Sequence, residues 1–154
     1  MHKRNNAINN GKEKEILRSV SIHCTFCGKT FKLDEAVFRC DVCNEPLEIE
    51  EIDCGKINNE NIINQSIWQR YEDFYPYIDK NNMITLGEGF TPLVELKDLA
   101  DSIGINGLYM KNETQNPTWS FKDRGTAVGI MDAKRLGYKK IGTVSTGNMA
   151  TSVA

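Results

Sequence analysis

Charge of one sign, long apolar runs and an apolar leader are all missing from this sequence, and each absence removes a class of function. There are 19 Lys and Arg against 21 Asp and Glu, a net charge of -2. A nucleic-acid partner held by bulk charge is therefore not expected. No apolar run approaches the roughly 20 residues that span a membrane. Met1 to Glu15 is polar, rich in Asn and Lys, and lacks the apolar centre of a secretory signal. It reads as a disordered tail, and the chain as cytoplasmic, where thiols stay reduced. The five Cys are then metal ligands or free thiols rather than disulfides. The hydrophobic share, 40%, is ordinary for a globular protein once Gly is counted in place of Tyr.

Four of those Cys form two pairs, Cys24-Thr25-Phe26-Cys27 and Cys40-Asp41-Val42-Cys43, with 12 residues between them. A C-x2-C turn places two sulfurs on one tetrahedral metal, and two such turns close the site. Cys24, Cys27, Cys40 and Cys43 are therefore the expected ligands of a structural metal. Zinc is favoured over iron, although the ligand set by itself admits either. Gly28 and Asn44 follow the two pairs, where a left-handed residue lets the turn aim its amides at sulfur. Phe26, Phe31, Val37, Phe38 and Leu47 are the expected minimal core. A module this small, spanning about 16–52, needs the metal to hold it. Cys54 is left over as a free thiol, and His23 has no ligand position to fill. Few basic residues (Lys29, Lys32, Arg39) line the pairs, which argues against a nucleic-acid-binding ribbon.

Residues 53–65 are polar and Asn-rich and read as a linker. Ile67, Tyr71, Phe74 and Tyr75 share one face of an expected helix that Pro76 stops, so 53–82 is a linker plus a docking helix. From Thr91 onward strands and helices alternate. Leu93–Leu96 is extended, Lys97–Ile103 a helix closed by Gly104, and Leu108–Asn112 a strand. Ser120–Leu136 is a helix closed by Gly137, with Phe121, Val128, Met131, Ala133 and Leu136 on a broad apolar face. Lys140–Ser145 is a buried strand, and Gly147–Ala154 opens a further helix. This order predicts an α/β fold with a parallel sheet.

Within that pattern lies Asn116-Pro117-Thr118-Trp119-Ser120-Phe121-Lys122-Asp123-Arg124-Gly125. Lys122 falls in the first turn of the expected helix, where the helix dipole favours a neutral amine. Such an amine forms a Schiff base with an aldehyde cofactor. Ser120 and Asp123 are spaced to cap the helix, and Arg124 is given no catalytic role. Downstream, Ser145-Thr146-Gly147-Asn148-Met149 leaves a strand and enters a helix with several amides exposed, a natural anion site.

Together with Leu86-Gly87-Glu88-Gly89-Phe90-Thr91-Pro92-Leu93 and Leu108-Tyr109-Met110-Lys111-Asn112-Glu113, these segments resemble, in order, the pyridoxal-phosphate enzymes built like the tryptophan synthase β chain. The nearest resemblance is to the threonine synthases, from about Met83 to Ala154. It is looser over the Cys-rich region. The resemblance implies that Lys122 holds pyridoxal phosphate and then serves as base and acid. It implies that Ser145, Thr146, Gly147, Asn148 and Met149 bind the substrate carboxylate, with Asn148 also bonded to the phenolic oxygen of the cofactor. The implied reaction converts O-phosphohomoserine and water to threonine and phosphate. Trp119 departs from a common glycine, and Met149 from a common threonine.

The expected architecture is thus a partial, truncated parallel-sheet domain of this type (83–154) preceded by a small four-Cys zinc ribbon. The chain is expected to be the N-terminal part of such an enzyme and inactive alone. Its expected partners are an amino-acid substrate and either further copies of itself or a complementing C-terminal chain. Rival readings are a related enzyme, such as cysteate synthase or threonine dehydratase, and a non-catalytic zinc-binding interaction module.

Overall fold

The computed structural model describes residues 20–35, 37–49, 57–59, 64–75, 78 and 83–154. The tail expected at 1–15, Cys54 and Pro76 lie outside these residues. The first described unit is a three-stranded antiparallel sheet in the order β2-β1-β3, from β1 (Ser21–Cys24), β2 (Thr30–Lys32) and β3 (Leu47–Ile49). Ile22 faces Phe31 on one side and Ile49 on the other, and Cys24 pairs with Leu47. Side chains alternate across a strand, so Phe31 is buried while Thr30 and Lys32 are exposed. Cys24, Phe31 and Cys40 form the centre, with Ile22, Val37, Cys43 and Leu47 against it. Phe26 and Phe38, expected in that core, are instead 79% and 85% exposed. For Phe26 the reason is local: its amide is turned inward onto Cys24 Sγ at 3.4 Å.

Next comes α1 (Ile67–Arg70), shorter than the sequence pattern suggests, which passes at Tyr71 into a 3-10 turn over Glu72–Phe74. Its start is fixed by a reciprocal cap that the apolar pattern does not reveal. Ser66 Oγ accepts from the Gln69 amide at 3.2 Å, and Gln69 Oε1 accepts from the Ser66 amide at 2.8 Å. Ile67 and Trp68 are buried in one cluster with Ile78, Ala127 and Met131, and Tyr71 and Tyr75 pack on it. Trp68, absent from the expected face, is its most buried aromatic.

Then β4 (Leu93–Glu95), α2 (Lys97–Ile103) and β5 (Tyr109–Lys111) follow at nearly the expected positions. Gly104 closes α2 with φ +73°. The pairing differs from expectation: β4 and β5 are antiparallel, with Val94 opposite Met110. The seven residues of α2 rise only about 10 Å, and Gly104 turns the chain straight back, so β5 returns alongside β4. Residues 140–145, expected as a buried strand, pair with nothing among the described residues, and Ile141 and Val144 are exposed. A strand exists only through the neighbour that accepts and donates its ladder bonds. The described sheets are therefore small and antiparallel within a mixed α/β arrangement.

The helix α3 (Lys122–Arg135) carries Asp123, Thr126, Ala127 and Met131 on its buried side. Phe121, expected on that side, is 57% exposed. Gly137, at φ +84°, ends the helix as expected. The last helix, α4 (Asn148–Val153), packs on α3 through Ser152 Oγ, 2.8 Å from Thr126 Oγ1. Arg135 Nη2 donates to the Leu33 carbonyl at 2.8 Å and joins α3 to the cysteine module. No helix among the described residues is long and apolar enough to cross a membrane.

Candidate active site and metal centre

The two C-x2-C turns bring Cys24, Cys27, Cys40 and Cys43 together, with all four sulfurs within 4.8 Å of one another. Cys24 Sγ is 3.4 Å from Cys43 Sγ, and Cys27 Sγ is 3.6 Å from Cys40 Sγ. A tetrahedral zinc places its sulfurs about 3.8 Å apart, so the donor set fits such an ion. Gly28 (φ +73°) and Asn44 (φ +60°) adopt the left-handed conformation that the turns require. The turns aim amides at sulfur: Cys27 N and Phe26 N donate to Cys24, and Val42 N to Cys40. The Cys27 amide, with that of Phe26, pulls the Cys24 thiol down to about 6, towards the thiolate that binds metal. His23 lies 3.9 Å from Glu48, outside the cluster.

Lys122 opens α3 and is half-buried. Its Nζ lies 4.5 Å from the centre of the Phe121 ring, and among the described residues no carboxylate pairs with it. Lys111, the other lysine near the loop, is committed: its Nζ donates to the Thr91 carbonyl. The expected cap on α3 takes another form. Phe121 is the N-cap residue and makes no side-chain cap bond, while Ser120 Oγ accepts from the Lys122 amide at 3.2 Å. Asp123, fully buried, turns back on the loop and accepts from both the amide (2.8 Å) and the hydroxyl of Thr118. Burial works against its ionised form, but the Thr118 bonds outweigh that and hold it below the usual carboxylate range.

Trp119 is 79% exposed at φ +60°. This conformation is free to glycine and costs another residue about 1 kcal/mol or more, which explains why a glycine suits this position.

Beneath the loop is a polar framework that the sequence pattern did not reveal. The Glu113 carboxylate accepts from Arg124 Nε (2.8 Å) and Nη2 (2.9 Å), Thr91 Oγ1 (2.7 Å) and Asn116 Nδ2 (2.9 Å). Arg124, with Thr91 and Asn116, pulls its pKa down to about 2. Asn116 is 2% exposed, and its Oδ1 accepts from the Gly89 amide at 3.0 Å. Its carbonyl accepts from the Trp119 amide at 2.8 Å. Glu88, 1% exposed, accepts from Trp68 Nε1, Thr85 Oγ1 and the Leu86 amide. Only the glycines of 86–93 carried a sequence signal for this. Gly89 sits at φ +93°, where a Cβ would come 2.2 Å from Ile67 Cγ2.

The loop Ser145–Met149 lies where α4 begins. Thr146, Gly147, Asn148 and Met149 are exposed and Ser145 is half-buried. The Asn148 side chain makes no hydrogen bond among the described residues, and Ser145 Oγ accepts from the Gly147 amide at 3.2 Å. Met149 Sδ is 3.9 Å from Thr126 Oγ1. The lysine helix and the second loop are thus in contact through α4. A cavity of about 630 Å³ lies elsewhere, between the cysteine module and α3, and none of these residues lines it.

Residues 84–154 match the profile of the family described as pyridoxal-phosphate dependent enzyme. The chain resembles the threonine synthases. It is 42% identical over 137 residues to the threonine synthase of Methanocaldococcus jannaschii, covering 85% of this chain and 33% of that protein. The threonine synthase of Methanosarcina acetivorans is 37% identical over 136 residues, covering 86% and 33%. That of Halalkalibacterium halodurans is 40% identical over 90 residues, covering 58% and 25%. The chain spans about a third of the length of the two archaeal relatives. An alignment over 85% of the chain cannot bypass the cysteine module, so the similarity is not confined to the lysine segment.

Proposed function

We propose that this chain supplies the N-terminal third of a pyridoxal-phosphate-dependent threonine synthase, converting O-phosphohomoserine and water to threonine and phosphate. The observation that carries the reading is Lys122: a half-buried amine without a carboxylate partner among the described residues, at the head of α3, inside the segment that matches the family. A free amine on a fixed helix turn fits an aldehyde cofactor, and the committed amine of Lys111 does not. When bound, pyridoxal phosphate supplies the electron sink for charge at the substrate carbon.

The side chains of the chain do the rest. Lys122 holds the cofactor and then moves protons at the α and β carbons of the substrate. The loop of Ser145, Thr146, Gly147, Asn148 and Met149 would take the substrate carboxylate through its exposed amides. The Asn148 side chain, exposed and uncommitted, orients the ring through its phenolic oxygen. Cys24, Cys27, Cys40 and Cys43 hold a structural zinc. Residues 16–52 are the metal module, 53–82 a linker and docking helix, and 83–154 the opening part of the α/β domain. The segment 140–145 becomes a strand when it meets parallel neighbours. The protein works in the cytoplasm on a small amino-acid substrate, and its partner is a second copy or a complementing C-terminal chain.

The test joins this chain to the C-terminal two-thirds of the Methanocaldococcus jannaschii relative and follows phosphate release from O-phosphohomoserine. Turnover is expected with pyridoxal phosphate, and Lys122→Ala is expected to lower it by on the order of 1000-fold or more. Turnover that survives Lys122→Ala would remove the lysine from its assigned role.

A further inference from the structure

We infer that Asn116 and Glu113 are positioning residues for Lys122, acting as a clamp that fixes the direction of its amine. The inference rests on the reading of Lys122 as the cofactor lysine. It concerns residues to which that reading gives no task.

Three chain segments meet at this pair, one of them the first turn of α3 that carries Lys122. The segment containing Gly89 is held through Asn116 Oδ1, which accepts the Gly89 amide at 3.0 Å. The turn after β5 is held through Asn116 Nδ2, which donates both to the Glu113 carbonyl (2.8 Å) and to its carboxylate (2.9 Å). The first turn of α3 is held through Arg124, whose Nε and Nη2 meet the two oxygens of Glu113 at 2.8 and 2.9 Å. Arg124 is two residues after Lys122, and the Trp119 amide, three residues before it, donates to the Asn116 carbonyl. Lys122 is therefore bracketed on both sides of the chain by bonds to one pair.

The bracket is unusually complete. A bidentate Arg–carboxylate pair fixes a plane as well as a distance. Asn116 uses its oxygen and its nitrogen on different segments, so neither can shift without breaking a buried bond. By contrast, the Lys122 amine meets only the Phe121 ring among the described residues. Its direction is set by the backbone that carries it rather than by partners of its own. An amine held so loosely by its described neighbours must be aimed from below, and loosening that support by about 1 Å costs reactivity on the order of 100-fold in the most sensitive cases.

The test is competitive labelling of the full 154-residue chain, loaded with zinc, by limiting pyridoxal phosphate. Borohydride fixes the adducts, and peptide mapping counts them at each lysine. In the unaltered chain, Lys122 is expected to label ahead of the surface lysines Lys139 and Lys140. Asn116→Ala and Glu113→Gln are expected to lower Lys122 labelling on the order of tenfold while leaving Lys139 and Lys140 unchanged. Gly104→Ala is the control, since it strains the end of α2 at φ +73° without touching the clamp. A merely structural role would make all three variants behave alike at equal loss of melting temperature. Preference for Lys122 that persists in Asn116→Ala and Glu113→Gln overturns the clamp and leaves the cofactor lysine standing. Absence of any preference in the unaltered chain overturns both.

Discussion

In the cysteine module four thiols converge on one point while Phe26 and Phe38 stand in solvent. In the lysine segment the converging groups are buried and polar: Glu88, Asn116 and Asp123, each at most 2% exposed. The cysteine module has little apolar core, whereas the lysine segment adds its polar web to the cluster around Ile67, Trp68 and Met131, and the two arrangements have different consequences. Four thiolates around a metal would be a single joint, whose loss releases every strand at once. A web of hydrogen-bonded carboxylates and amides is many joints, each worth a modest amount. The first should fail all at once and the second by degrees, since among the described residues a single hydrogen bond, from Arg135 to the Leu33 carbonyl, joins them.

Removing the single joint should have the largest effect. Cys24→Ser is expected to abolish the binding of about one zinc per chain and to melt β1–β3. The tyrosine and tryptophan signals of the lysine segment should persist. Metal analysis with near-ultraviolet dichroism checks this, and a variant that keeps both its zinc and its sheet would break the comparison.

Next in size is Gly89→Ala, which strikes the other region. It forces a side chain into a left-handed position and against buried Ile67, at an expected cost of about 2–4 kcal/mol. Urea denaturation should show an early transition in the tryptophan signal, while zinc content stays unchanged. Loss of zinc in this variant would mean that the regions fold as one.

The smallest effect sharpens the contrast through pH. Folding lowers the Glu113 pKa from an ordinary value of about 4.3 to about 2, chiefly through Arg124. The stabilisation is therefore complete above the unfolded value and is lost as pH falls towards 2. It amounts to about 1–2 kcal/mol once solvent screening of this half-buried pair is allowed for. Melting temperatures of the unaltered chain and Glu113→Gln should differ at pH 7 and converge near pH 2. A gap that stays constant over that range would show that the Arg124 pair contributes nothing.

What could be read from the sequence divides along similar lines. Features set by a few neighbouring residues were legible: the C-x2-C turns with Gly28 and Asn44, the closure of α2 by Gly104, and the end of α3 at Gly137. The place of Lys122 in the first turn of α3 was legible because its motif is local. The bonds from Glu113 to Thr91 and from Asn116 to Gly89 join residues 22 and 27 positions apart, and no periodicity announces them. Asp123 looked like half of a capping box and proved to be an anchor for Thr118. The parallel sheet was inferred from the order of elements, but pairing depends on which strands are at hand, and β4 and β5 chose each other.

One consequence concerns light rather than stability. The chain has two tryptophans, and they occupy opposite extremes. Trp68 is 3% exposed and bonded to Glu88, whereas Trp119 is 79% exposed and three residues from Lys122. Their fluorescence should separate into a blue component from the interior and a red component from the loop. A chromophore seated at Lys122 would quench the red one first by energy transfer, so the molecule carries its own two-colour gauge of folding and occupancy.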